Sequence, residues 1–211
     1  HHRLKSIHFN YLNPLIKEFC EIINIDPWFL SCYHERINNI DIFKPEDVSR
    51  LKETCQTLFQ KVKNKYDAYN ITSSPYIIVK ANAGSYGMGV VAFESPDDID
   101  AINRKIKNKL SRGKNAVKIR DFIIQEGVPS ILTTEGHPAE ICSYYVGSSL
   151  AGHFLRSNTL KNNRQNLNSM GMTFYPLSHL TQDIDSVYNT DSDIYHYLAR
   201  LALIAATKEE A

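Results

Sequence analysis

No excess of charge marks this chain: 24 lysines and arginines stand against 23 aspartates and glutamates, a formal net charge of +1. That balance argues against the uniform field that holds proteins to nucleic acid or to a membrane surface. Apolar runs long enough to span a bilayer are missing, and so is any signal-peptide pattern. Cysteine is sparse and scattered. Cys20, Cys32, Cys55 and Cys142 form no C-x-x-C pair, which argues against a zinc site and for reduced, mostly buried thiols in an intracellular, cytoplasmic protein. Internal repeats and low-complexity tracts are absent. With 43% hydrophobic and 22% charged residues the chain is globular, not disordered, and 211 residues suffice for one large domain or two small ones. It opens on His1-His2 without a Met and reads as a piece of a longer protein.

Against these absences one stretch stands out. Tyr76 to Phe93 reads as strand, glycine loop, strand: β-branched and aromatic residues to Val79, then Lys80, then Gly84, Gly87 and Gly89, then an apolar run from Val90. Glycine lets a backbone approach a ligand closely and adopt positive φ. A lysine at the root of such a loop suits a polyphosphate, whose oxygens backbone N–H groups and an ammonium can face. Read alone, the stretch is equally a hairpin that simply turns.

Around it, residues 11–23 carry apolar side chains at helical spacing, with Pro14 limiting where the first turn begins. Trp28-Phe29-Leu30 is an apolar plug, and residues 31–44 are irregular and polar. A second helix starts near Pro45, with Glu46 and Asp47 at its positive end and a stripe of Val48, Leu51, Cys55, Leu58, Val62 and Tyr66. Ser95-Pro96-Asp97-Asp98 opens a third helix whose apolar face is Ile99, Ile102, Ile106 and Leu110. Its lysines and arginines form a solvated face, since no aromatics interleave with them as a nucleic-acid patch would require. Phe122 to Val128 is a short buried strand stopped by Gly127 and Pro129. Glu140–Val146 and Leu150–Arg156 form an antiparallel hairpin about Gly147-Ser148-Ser149. A three-residue loop sets Glu140 across from Arg156; a two-residue turn shifts the pairing by one and sets Ile141 there. Residues 157–172 are a long polar loop, 173–177 a last strand, and Ile194 to Ala205 a closing helix that begins at Asp191 or Ser192.

Three familiar glycine signatures fail here. A Walker loop needs Ser or Thr after its lysine, the dinucleotide fingerprint opens a helix, and a protein kinase places its glycines before its lysine strand. A lysine strand, a glycine flap and a return strand resemble the ATP-grasp ligases, in which two antiparallel sheets hold ATP between them. That resemblance implies an α+β fold of two antiparallel-sheet subdomains with flanking helices. It divides the chain into a helical portion over 1–75, a glycine-flap subdomain over 76–121 and a C-terminal subdomain over 122–211. Phe122 to Val128 then looks like the linker strand, with Gln125 and Glu126 at its end and the backbone of Glu126, Gly127 and Val128 reading adenine. Glu140 and Arg156 look like the metal-binding acid and the arginine that holds the γ-phosphate or acyl phosphate; the alternative is a cross-strand ion pair. Asn166-Leu167-Asn168 looks like the final metal motif, two oxygen donors pointing one way from an extended segment, or else a polar loop. Lys5, ahead of an amphipathic helix, looks like the first ATP-grasp lysine, or else a surface lysine.

The wording is closer still to one family. Ile-Asp-Pro-Trp-Phe-Leu (25–30), Ile-Val-Lys-Ala-Asn-Ala-Gly-Ser-Tyr-Gly-Met-Gly-Val (78–90), Ile-Ile-Gln-Glu-Gly-Val-Pro (123–129) and Asn-Leu-Asn-Ser-Met-Gly-Met-Thr-Phe-Tyr-Pro-Leu (166–177) resemble the ATP-grasp type of bacterial glutamate–cysteine ligase. So does the ending Leu-Ala-Arg-Leu-Ala-Leu-Ile-Ala-Ala (198–206). Members are longer, with an N-terminal region that helps bind the amino acids. Gln165 departs from the pattern where an acid is expected, which puts more of the metal assignment on Glu140.

The resemblance implies ATP-dependent joining of the γ-carboxylate of glutamate to the amine of cysteine through an acyl phosphate, the first step of glutathione production. ATP would be held by Lys5, Lys80, Gly84, Ser85, Tyr86, Gly87, Met88 and Gly89, and by Gln125 to Val128. Mg²⁺ would sit at Glu140, Asn166 and Asn168, with Arg156 and Lys80 acting on the transferred phosphoryl group. Phosphoryl transfer needs alignment and charge neutralisation more than a covalent nucleophile. The flap would close and exclude water. His137 and His153 read as structural. A glutathione synthetase-like ligase and a nucleotide-binding module without catalysis are the alternatives.

Overall fold

The computed structural model describes residues 3–84, 89–113, 117–181 and 192–209. The fold is α+β, with the two antiparallel sheets expected of an ATP-grasp-like architecture. Helix α1 spans Lys5–Ile23. It begins well before Pro14, which lies inside it. Inside a helix proline withholds one N–H and crowds the carbonyl four residues back, a local cost that does not decide where the helix begins. The start is set instead from far along the chain: Lys5 N–H donates to the Asn82 carbonyl at 2.9 Å, and Ser6 N–H to Asn82 Oδ1 at 2.9 Å. Two of the four N–H groups that every helix leaves unpaired at its start are thus met by a fully buried asparagine.

The chain separates into two compact units. The first comprises His1–Phe9 and Ser31–Val128. Its sheet has the order β1-β4-β2-β3, from β1 (His34–Ile37), β2 (Ile77–Ala81), β3 (Val90–Phe93) and β4 (Phe122–Glu126), all antiparallel. Strand β1 falls within the segment expected to be irregular. It shows no apolar alternation because it is an edge strand with only Ile37 buried, and β4 supplies its ladder. One face of the sheet offers Ile77, Val79, Phe122 and Ile124. Against it packs α2 (Pro45–Ala68) through Leu51, Cys55 and Leu58, all fully buried. Each such leucine or isoleucine contributes roughly 1.5–3 kcal/mol by leaving water.

The helix expected from Ser95 is broken in two. Ser95 does form a capping box, but it caps a 3-10 turn over Pro96–Ile99. The α-helix proper, α3 (Arg104–Ser111), starts from its own cap, Asn103, whose Oδ1 accepts from Ile106 N–H at 3.0 Å. Asn103 is extended, with ψ 171°, and this interrupts the helical path.

The second unit comprises Asn10–Leu30 and Pro129–Ala211. Its sheet has the order β5-β6-β7-β8, from β5 (Thr133–Thr134), β6 (His137–Val146), β7 (Ser149–Asn158) and β8 (Met172–Tyr175), again antiparallel. Leu132, Ala139, Leu155 and Leu180 form its core, and α4 (Ser192–Lys208) closes the described chain. The partition differs from a division at residues 75 and 121. Strands β1 and β4 hydrogen-bond into the sheet of β2, so residues 31–75 and 122–128 pack with the glycine hairpin. All four cysteines are free; Cys20 and Cys55 are buried, Cys32 and Cys142 partly so. Among the described residues no helix is long and apolar enough to cross a membrane.

Candidate functional site

Strand β2 alternates: Ile77, Val79 and Ala81 are buried, while Ile78 and Lys80 point to the opposite face. On that face Lys80 Nζ donates to Gln125 Oε1 at 2.6 Å, and Gln125 Nε2 donates to Cys32 Sγ. A second ammonium lies at the same loop root. Lys5 Nζ donates to the carbonyls of Ala81 (2.8 Å) and Gly84 (3.0 Å). Burial, and then the charge of Lys80, push the Lys5 pKa below its ordinary value. The two ammonium groups lie within electrostatic reach of each other, one of them anchored by neutral carbonyls, and an anion suits such a pair.

The glycines beside them have distinct reasons. Gly84 takes φ +97° and has open space where a Cβ would stand, so conformation alone requires it. Gly89 takes φ +64°, so conformation requires it, and a Cβ there would also push on the end of the Ile119 side chain, whose Cδ1 would stand 2.8 Å away. Ser85, Tyr86, Gly87 and Met88 lie outside the described residues.

At the end of β4 the backbone is largely spoken for. Glu126 is buried; its N–H donates to the Tyr33 carbonyl at 2.9 Å, and its carboxylate accepts from Tyr33 N–H at 3.1 Å. Gly127 N–H donates to the Tyr76 carbonyl, and a Cβ at Gly127 would stand 2.2 Å from the Tyr76 ring. Of the three residues expected to read adenine, exposed Val128 is the one whose N–H bonds none of the described residues.

In the second unit Arg156 Nε donates to Glu140 Oε1 at 2.7 Å, directly across the β6–β7 ladder. The loop between the strands has only two residues, Gly147 and Ser148, with Gly147 at φ +59°. Ala151 is then an extra residue opposite the Tyr144/Tyr145 step, a β-bulge that restores the pairing of Glu140 with Arg156. Beside the pair, the ring of Phe154 stacks on Tyr144 and meets Phe174 edge to face. By alternation His153 lies on the opposite face, where Ser143 Oγ and His153 Nδ1 are 2.8 Å apart. Burial and His196 lower the His153 pKa.

Asn166 and Asn168 do not project from an extended segment. The stretch bends, with Asn166 Oδ1 accepting from Asn168 N–H at 3.2 Å and Asn166 Nδ2 donating to the Asn168 carbonyl at 3.1 Å. Short polar side chains bond their own backbone two residues on, and here this overrides the extended form. Among the described residues no group of three or more His, Cys, Asp and Glu gathers as metal ligands. The donor types nonetheless suit magnesium, which takes a carboxylate and neutral oxygens and keeps water or phosphate in its remaining positions. Glu140 offers the carboxylate and the two asparagines the amide oxygens.

Three residues escaped sequence reasoning: Cys32, Asn82 and Asn158. Asn158 is fully buried, and its Nδ2 faces the carbonyls of Leu167, Ser169 and Met170. A polar residue at a strand end carries no sequence signal that it will be an organising centre.

A protein-family model described as GshA: Glutamate-cysteine ligase matches residues 1–210. No curated protein matches significantly. A crystal structure from Methylobacillus flagellatus KT, of a protein provisionally named a gamma-glutamylcysteine synthetase, superposes with a TM-score of 0.82 at 31% identity, over 98% of this chain and 50% of that one. This chain therefore spans half the length of that relative. The C-terminal domain of K. lactis Pby1, an ATP-grasp enzyme that interacts with the mRNA decapping enzyme Dcp2, aligns with a TM-score of 0.41 at 15% identity, over 95% and 53% of the two chains.

Proposed function

This chain belongs to the glutamate-cysteine ligase family, and from that membership we propose that it carries the ATP-using part of a cytoplasmic ligase that joins the γ-carboxylate of glutamate to the amine of cysteine. The observation that carries the reading is the pair of lysines at the root of the glycine loop, with Lys5 below its ordinary pKa. A polyphosphate would set negative charge against both ammonium groups. The products would enter glutathione synthesis.

In this reading Lys80 and Lys5 neutralise phosphate oxygens of ATP, and Gly84 and Gly89 let the backbone approach them. The carboxylate of glutamate takes up a phosphoryl group, and the amine of cysteine displaces phosphate from the resulting acyl phosphate. Arg156 stabilises charge on the transferred group. One of its nitrogens is committed to Glu140, and the guanidinium has further N–H donors to offer. Magnesium, when bound, supplies charge neutralisation between phosphate oxygens, and Glu140, Asn166 and Asn168 would hold it.

One observation favours a second reading, a nucleotide-binding module without ligase chemistry. Two of the candidate metal donors are engaged within the protein: Glu140 gives one carboxylate oxygen to Arg156, and Asn166 bonds Asn168 through both ends of its amide. ADP release by the full-length protein across a panel of amino-acid pairs separates the two. Turnover that requires glutamate and cysteine together is expected. ATP binding without ADP release for any pair supports the module, and release with γ-glutamylcysteine plus glycine points to a glutathione synthetase-like enzyme.

A further inference from the structure

Gln125 lies one strand over from Lys80, with its side chain on the same face of the sheet, and its amide is used at both ends. The oxygen receives Lys80 Nζ and the nitrogen donates to Cys32 Sγ, the thiol standing just before β1. The two ends are not interchangeable: turned over, the amide would point N–H at an ammonium and a carbonyl oxygen at the sulfur. The ammonium, which has no acceptor, fixes the orientation, and the Cys32 sulfur receives the N–H end that results and holds the amide in place. A neutral partner also has a consequence for the charge. A carboxylate at this position would form an ion pair with Lys80 and compete with phosphate for the ammonium, whereas an amide oxygen fixes its direction and leaves its charge intact.

We propose that Gln125 is a positioning residue for Lys80, its amide held in place by Cys32, so that nucleotide affinity depends on two side chains that hold the lysine rather than the phosphates. The proposal rests on the reading of Lys80 as a nucleotide ligand. Burial raises the Cys32 pKa to about 11, so the sulfur is a neutral thiol at physiological pH and adds no charge of its own to the site.

The test is ATP affinity in the presence of Mg²⁺, by calorimetry on the full-length protein. Gln125→Glu should weaken binding by about tenfold, because its carboxylate pairs with the ammonium and competes with phosphate for it. Cys32→Val, which removes the sulfur acceptor, should weaken it by about threefold, and Cys32→Ser, which keeps an acceptor, should stay near wild type. With Lys80→Ala in place, neither Gln125→Glu nor Cys32→Val should lower the remaining affinity further. If they cost as much there as in the wild type, or if Gln125→Glu binds normally while Lys80→Ala does not, the inference is overturned and the nucleotide reading stands. If Lys80→Ala itself binds normally, the nucleotide reading falls and this inference with it. Thermal melts identify any variant that fails to fold. Should Gln125→Glu be one, the contrast between Cys32→Val and Cys32→Ser decides alone, and equal affinities in those two overturn the inference.

Discussion

Ser6 and Asn82 are hydrogen-bonded to each other twice across 76 positions of sequence: Ser6 N–H donates to Asn82 Oδ1, and Asn82 Nδ2 donates to Ser6 Oγ. Both are buried. The contact fastens the first turn of α1 to the segment between Lys80 and Gly84, and so sets where Lys5 stands relative to Lys80.

Asn82→Ala should therefore do two things. It strips the helix start of a side-chain cap and leaves a buried serine with fewer partners, which costs about 1–3 kcal/mol. It should also weaken ATP binding, because Lys5 loses its fixed start. Urea unfolding and calorimetric titration read the two effects separately. A destabilised variant with normal ATP affinity would show that the anchor serves stability only.

Lys5 gives a pH dependence of definite sign. Its pKa is lowered in the folded state, by burial first and by Lys80 second. Keeping the group charged therefore costs stability. That cost is fully present below the folded pKa and fades as pH rises toward the unfolded value, so this group's contribution to stability rises with pH in that window. Bound phosphate acts in the opposite direction and draws a proton onto Lys5. ATP affinity should fall as pH rises, with a midpoint below the ordinary lysine value, and binding should take up protons. Titrations in buffers of different ionisation enthalpy detect the uptake. Lys5→Arg, which remains charged, should flatten the profile; an equally steep decline in that variant would assign the titration to another group.

Arg156 and Glu140 are partly exposed, so breaking their pair should change stability by no more than about 1 kcal/mol. Turnover is the sensitive measure. Arg156→Ala in the full-length protein should lower kcat by about 100-fold or more, the scale of losing a donor aimed at transition-state charge. ATP affinity should hold within about threefold, because such a donor acts on the transition state more than on bound substrate. Equal losses in kcat and in affinity would mean that Arg156 merely anchors nucleotide.

How much of this was legible in the sequence depended on whether the cause of each feature was local. The α2 stripe of Leu51, Cys55 and Leu58 is a periodicity, and the strand ending at Lys80 is a run of β-branched and aromatic residues; the structure keeps both. The facing of Glu140 and Arg156 appeared as one of two registers, and it survives by a route no turn rule contains: a two-residue loop corrected by a bulge at Ala151. What was not legible is tertiary in origin. Strand β1 exists because β4 offers it a ladder, and α1 starts where Asn82 caps it from a distance. The Asn166–Asn168 segment failed for a different reason: its backbone bends to meet its own asparagine side chain, a local preference that competes with the extended form.

That same loop carries the last prediction. Asn158 closes β7 and receives the returning chain: Oδ1 accepts from Leu160 N–H at 3.0 Å, while Nδ2 is shared among acceptors on Leu167, Ser169 and Met170 at 3.2–3.3 Å. Gly171, at φ +90°, lies so close that a Cβ there would stand 3.3 Å from Asn158 Oδ1. The loop bearing Asn166 and Asn168 is thus wound around one buried amide. Asn158→Leu keeps the bulk but withdraws every bond, leaving several carbonyls unmet at a cost of about 1–3 kcal/mol. The cost should fall on the loop before it falls on the sheet. Limited proteolysis should therefore open cleavage between residues 160 and 171 while β6 and β7 stay protected. Turnover should drop with ATP affinity unchanged, since Lys5 and Lys80 belong to the other unit. If the cleavage pattern is that of the wild type and turnover is normal, Asn158 only fills space, and the loop owes its shape to the Asn166 turn alone.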